Sequence, residues 1–298
     1  MSNPKETTTK RGNSFGFMFF YYALRLLGLK HARRMAAIVC CYYIVFDWSA
    51  IKRTMPYIRH LMPGADFFKR MRFTYTLFVN QAWLLLDRVA FNVGLISFDF
   101  TSATYEILSE LAEKKEVGVI LLGAHFGNWQ LAVEGLKKLK CKVNIVMSPE
   151  TNPAVKKYLK VNSSSGNITY IFTDTPDRGC VAIASALCSC EIVCLMGDRA
   201  YGADTVKVEF LGESAYFPYS AWVIAAKTQS AVIPFFVCKH KELGYNVWGD
   251  KPIYPQIVSK KATVETVQIW VNQYAKSLER IIQEYPEQCF IFSDVWKR

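Results

Sequence analysis

The chain of 298 residues is long enough for one large domain or two small ones. Apolar residues make up 51% of it and charged residues only 20%, a greasy balance for a soluble protein and one that fits association with a membrane. Its 36 Lys and Arg against 25 Asp and Glu suit acidic partners. Nucleic acid would want the same charge, but no nucleic-acid motif or helix-turn-helix pattern accompanies it, and neither Gly-x-Ser-x-Gly nor a Walker loop occurs, which disfavours a serine hydrolase or an NTPase.

Residues 1–13 are polar and read as a disordered tail. Phe15 to Leu29 is aromatic and aliphatic except for Arg25, a basic stretch from Lys30 to Arg34 follows, and Met35 to Phe46 is a second apolar run. Neither run reaches the 18 or so residues of a spanning helix. They read as interfacial or re-entrant helices over residues 14–50, with Lys30, Arg33 and Arg34 meeting lipid phosphates. One tilted span with Arg25 snorkelling, or a buried hairpin of the fold itself, are the alternatives. Residues 51–298 form the remaining domain. Met55 to Lys115 has a helical pattern, clearest over Phe67 to Val89 and Ala103 to Leu111.

Strand and helix then alternate. Strands are expected at Val117 to Ala124, Lys142 to Met147, Ile168 to Thr173, Glu191 to Gly197, Val206 to Leu211, Val232 to Lys239 and Asn246 to Tyr254. Helices are expected at Trp129 to Leu139, Pro153 to Asn162, Cys180 to Cys188, Tyr219 to Thr228 and Ala262 to Glu284, with a loop from Val161 to Asn167. This is the pattern of an α/β fold with a mixed, largely parallel sheet flanked by helices. The nine cysteines mostly lie in apolar segments, and Cys188 and Cys190 lack zinc spacing, so neither disulfides nor a metal site is expected and the set fits a reducing compartment.

The chemistry concentrates where the first strand ends. Val117 to Ala124 should deliver His125 to a strand-to-helix turn, with Gly127 flanking it and Asn128 as the helix N-cap. Backbone N–H groups at Gly127 and Asn128 would then be available to an oxyanion. Asp198 and Arg199 follow the strand ending at Met196, a position where α/β sheets build sites. Arg199 matches phosphate geometry, or else pairs with Asp198 to staple the loop. Glu209, if it faces inward, needs a partner such as His125 or Arg199. His31 has only a basic amphipathic context, and His60 and His240 have no partner pattern.

His125-Phe126-Gly127-Asn128-Trp129-Gln130 resembles the His-x4-Asp/Glu motif of the glycerolipid acyltransferases, most closely the lipid A late acyltransferase (lauroyl/myristoyl) branch of the lysophospholipid acyltransferases. Met196 to Arg199 is similar to that family's second block. Val208 to Glu213, Phe217-Pro218, the apolar run Ala221 to Thr228 and Val232 to Phe236 are similar to its third. Pro286-Glu287-Gln288 with Trp296-Lys297-Arg298 is similar to its ending. The resemblance implies a glycerolipid acyltransferase-like fold at the cytoplasmic face of a bacterial inner membrane, peripheral, monotopic or single-pass. It implies transfer of a fatty acyl group from an acyl carrier protein or coenzyme A thioester to a hydroxyl or amine of a lipid acceptor. No metal or redox cofactor is implied. His125 would be the general base, Gln130 its orienting partner, and Gly127, Asn128, Asp198, Arg199 and Glu134 would lie around the substrate.

Gln130 departs from the motif, because an amide can orient an imidazole but supplies no negative charge. Three readings follow: another carboxylate serves, from Glu134, Asp198 or Glu209; the enzyme works on an easier acceptor; or the chain is a catalytically silent paralogue that binds lipid or carrier protein. A carboxylate within hydrogen-bond reach of His125 separates the first from the last.

Overall fold

The computed structural model describes residues 14–102, 104–148, 166–173, 176–200, 204–257 and 264–297. The expected helix Pro153 to Asn162 and most of the expected loop Val161 to Asn167 lie outside those residues, as does residue 298.

Helix α1 (Ser14–Phe46) joins the two apolar N-terminal runs into one element, broken at Gly28, whose φ of 76° and ψ of 172° only glycine tolerates. Small residues let α1 lie close along α3 (Phe67–Asn92): Ala23, Ala32 and Ala36 pack with Leu24 and Leu29 against Leu86, Val89 and Ala90. Asp47 then caps α2 (Trp48–Leu61) through the Ala50 N–H at 3.0 Å. The two helices meet at a 93° bend, and no single helix among the described residues is long and apolar enough to cross a membrane. Asp66 caps α3 in the same way, accepting from the Lys69 N–H at 2.8 Å.

A seven-stranded sheet follows, in the order β1 (Asp99–Ser102), β9 (Gly244–Gly249), β8 (Ala231–Lys241), β2 (Val119–Gly123), β5 (Ile192–Met196), β3 (Val143–Met147) and β4 (Ile168–Phe172). Only β8 with β9 is antiparallel, so the sheet is mixed and largely parallel, as the alternation predicts. Its centre is apolar on both faces: every residue of β2 is buried, as is Ala231 to Cys238 of β8. Among the described residues the helices between strands are α4 (Thr104–Lys114), α5 (Trp129–Leu136), α6 (Pro176–Cys188) and α7 (Ser220–Lys227), and α8 (Val264–Glu284) follows the last strand.

Two features depart from expectation. The stretch Met55 to Lys115 is not wholly helical, since Gly94, at φ 73°, turns the chain into β1, where Phe98 and Phe100 pack on Tyr245. The strand expected at Val206 to Leu211 does not join the main sheet. It is β6 (Thr205–Phe210), paired with an unexpected β7 (Glu213–Pro218) in a separate two-stranded hairpin turned by Leu211 and Gly212, both at positive φ.

Candidate active site

Strands β2 and β5 are parallel neighbours with Gly123 opposite Met196. Each chain runs two residues further before its polar group, so His125 and Asp198 leave the sheet side by side. The His125 Nδ1 lies 2.9 Å from both oxygens of the Asp198 carboxylate. The carboxylate accepts and Nδ1–H donates, which leaves Nε2 as the basic nitrogen. The aspartate is 0% exposed and the imidazole 30%, so the pair has one dry end and one end open to substrate.

Burial alone would push the Asp198 carboxyl up. The attraction of His125 in its protonated form, its hydrogen bond and the Arg199 guanidinium 3.9 Å away outweigh that and hold it below the usual carboxylate value. Beneath the pair, Tyr274 of α8 donates to the Gly123 carbonyl at 2.7 Å. Its own ionisation is driven well up, first by burial and then by the Asp198 charge.

Three backbone contacts hold the turn after β2. The Phe290 N–H donates to the His125 carbonyl at 2.7 Å, the Gly127 N–H to the Gln288 carbonyl at 2.8 Å, and the Asn128 N–H to the Val237 carbonyl at 2.9 Å. Gly127 sits at φ 55°, and a Cβ there would come 1.7 Å from the Val237 oxygen, so only glycine allows this approach. Two expectations are corrected here. The N–H groups of Gly127 and Asn128 are occupied by backbone carbonyls and not available to an oxyanion as arranged here. Asn128 stands at the N-cap position of α5, but its amide does not cap; it donates to the Leu84 carbonyl of α3 at 2.8 Å.

A cleft of about 290 Å³ opens on His125. Gln130 lines it, but the ring bond goes to Asp198, so the amide does not orient Nδ1. Arg199 lines it too, donating to the Phe290 carbonyl at 2.6 Å as well as neighbouring Asp198. Asp198, expected among the substrate contacts, meets the imidazole instead. Glu209 is not brought to His125: β6 alternates, turning Val206, Val208 and Phe210 inward and Glu209 to solvent. The Glu134 side chain lies outside what is described, although its place on α5 is one turn beyond Gln130.

Sequence reasoning missed the opposite wall, where Gln81, Leu84, Leu85 and Arg88 of α3 face the cleft. Their i, i+3, i+4, i+7 spacing marks one helix face, and the polar pair at its two ends was the available signal. It also missed a buried cluster beside the turn. Asp87 is 0% exposed and accepts from Arg33 of α1 at 2.5 Å, from Tyr245 of β9 at 2.6 Å and from Lys239 of β8. Burial pushes the Lys239 ammonium down, and Asp87 pulls it part of the way back.

The profile of the bacterial lipid A biosynthesis acyltransferases matches residues 100–298, more than half of the chain. Among solved structures, the 1-acyl-sn-glycerophosphate (LPA) acyltransferase PlsC from Thermotoga maritima is similar, at 14% identity over 83% of this chain and 97% of that one, with a TM-score of 0.36. No curated protein matches. On the extent of the profile match, the chain belongs to the bacterial lipid A biosynthesis acyltransferase family.

Proposed function

We propose that this acyltransferase moves a fatty acyl group from an acyl carrier protein or coenzyme A thioester to a hydroxyl or amine of a lipid acceptor, with His125 as base and Asp198 as its charged partner. The observation that carries this reading is the 2.9 Å contact from His125 Nδ1 to both oxygens of a fully buried carboxylate. Gln130 stands where a motif acid would stand, and Asp198, from the neighbouring strand, supplies the missing charge.

In this reading Nε2 takes the proton from the acceptor O–H or N–H as that atom attacks the thioester carbonyl. Asp198 stabilises the imidazolium that forms, without itself being protonated. The tetrahedral intermediate collapses, the carbon–sulfur bond breaks, and the proton passes from Nε2 to the departing thiolate. The guanidinium groups of Arg88 and Arg199 make the cleft positive, which favours phosphate on the donor or acceptor and the developing oxyanion.

The membrane reading rests on α1 and the bend into α2. Phe15, Phe19, Leu26, Ile38, Tyr42 and Phe46 are all exposed on α1, and Trp48 follows them. An apolar face of this size, carried by a helix pair with basic residues in its first member, suits monotopic docking at the cytoplasmic face of the inner membrane. The test supplies labelled fatty acid to cells holding the native acceptor. A labelled lipid made by the wild type and lost in His125→Ala supports the reading; identical profiles sink it.

A further inference from the structure

The segment from the 3-10 turn Pro286–Gln288 to Phe290 makes three backbone contacts with the groups around the proposed base. The Gln288 carbonyl accepts from Gly127, the Phe290 N–H donates to the His125 carbonyl, and the Phe290 carbonyl accepts from Arg199. A strap of this kind positions nothing unless it is itself fixed. Two side chains fix it: the Tyr57 hydroxyl donates to the Pro286 carbonyl at 2.7 Å, and Gln288 ties the strap to β8, its Oε1 accepting from the Lys239 N–H at 2.8 Å and its Nε2 donating to the Lys239 carbonyl at 2.7 Å. The amide thus pairs with β8 as a neighbouring strand's peptide would, one residue beyond Cys238 and two beyond Val237, whose carbonyl holds Asn128.

Gln288 is 3% exposed. At that burial the side-chain amide needs partners, and the Lys239 N–H and carbonyl supply them. Only a neutral amide offers one acceptor and two donors at the end of a two-carbon stem. A carboxylate would set an anion against the Lys239 carbonyl, and an apolar side chain would orphan both groups. Nothing in this arrangement touches the reacting atoms.

We propose that Gln288 is a positioning residue for the acyl-transfer site, holding His125 and Arg199 in register through the Pro286 to Phe290 backbone. The inference rests on His125 being the base. Displacing a catalytic group by about 1 Å costs roughly 10²-fold in rate, so release of the strap should read mainly in kcat.

The test compares purified full-length wild type, Gln288→Met and Ser277→Ala. Gln288→Met keeps the volume and removes both amide bonds. Ser277→Ala removes a half-buried hydrogen bond to Asp250 in a separate cavity and serves as the stability control. Each is assayed with acyl-thioester donor and membrane-lipid acceptor, and each is followed by amide hydrogen exchange over residues 123–131. The expected result for Gln288→Met is a kcat lowered roughly 30- to 100-fold, a donor KM within about twofold and faster exchange in that peptide, with neither change in Ser277→Ala. Gln288→Glu, which keeps the acceptor for the Lys239 N–H, replaces the methionine variant if that one does not fold, with the same expectation. Wild-type exchange in the variant, or faster exchange with unchanged kcat, overturns the proposal while leaving the base reading intact. A wild type that transfers no acyl group overturns the base reading and this inference with it.

Discussion

At the residue scale the proposed chemistry depends on one charge in one place. Asp198→Asn keeps the shape of the partner and removes its anion. By analogy with the serine-protease triad, where that exchange costs about 10⁴ in kcat, the expected loss here is about 10³- to 10⁴-fold with little change in KM, read by steady-state kinetics. Because the folded Asp198 carboxyl lies below its unfolded value of about 3.9, its contribution to stability is complete above that value. The contribution is lost only as pH falls through the still lower folded value. Protonation of Asp198 therefore contributes nothing to any change in activity between about pH 5 and 8. A loss of activity at pH 5 traced to Asp198 protonation would contradict a carboxyl held below its usual value.

Gly127→Ala tests the turn itself. The added methyl meets the Val237 carbonyl, and φ is positive, so a loss of roughly 2–4 kcal/mol in denaturant unfolding is expected. His125 and its turn were legible in the sequence because an apolar strand, a histidine and a glycine follow one another directly. Its carboxylate was legible only as one of three candidates. Asp198 reaches His125 because β5 is the neighbour of β2, and that adjacency skips over β3 and β4 in the chain. Glu209 was a reasonable alternative until the phase of β6 put it outward, and a one-residue shift in a strand reverses every side chain.

At the element scale, Asp87 joins α1, α3, β8 and β9 inside the protein. Removing the anion alone strands two cations, so Asp87→Leu should cost about 3–5 kcal/mol and lower Tm by roughly 2–4 °C per kcal/mol. Replacing Arg33 and Lys239 by Met together with Asp87→Leu should recover most of that loss, since the charges then no longer need each other. Thermal unfolding of the two variants decides it; a triple variant no better than the single one would deny that stranded charge is the cause. Periodicity exposed the long helices and the central strands, whose apolar runs are uninterrupted. It missed β1, which is four residues at a sheet edge, and β7, whose partner lies across a two-residue turn. The Asp87 cluster was invisible because its members sit far apart in the chain and share no motif.

Across the whole molecule, thiol chemistry separates the inside from the proposed membrane face. Burial pushes the thiols of Cys194, Cys238 and Cys289 up to about 12, so they should resist alkylation at neutral pH in the native protein. Cys41, Cys180 and Cys188 are exposed and should label. Cys41 sits on α1 beside exposed Tyr42, whereas Cys180 and Cys188 lie on α6. Anionic vesicles should therefore protect Cys41 and leave the α6 thiols reactive, as mass spectrometry of the labelled peptides would report. Equal labelling of all three with and without vesicles would argue against docking through α1.

The most direct measurement of the central claim is acyl transfer by purified wild type, His125→Ala and Asp198→Asn, each with labelled acyl carrier protein or coenzyme A thioester and extracted bacterial lipid acceptors. The dyad predicts a labelled lipid from the wild type and at least a 10³-fold loss in both variants, with donor binding retained. Transfer by Asp198→Asn at the wild-type rate, with His125→Ala inactive, would leave the histidine as base and remove Asp198 from the account.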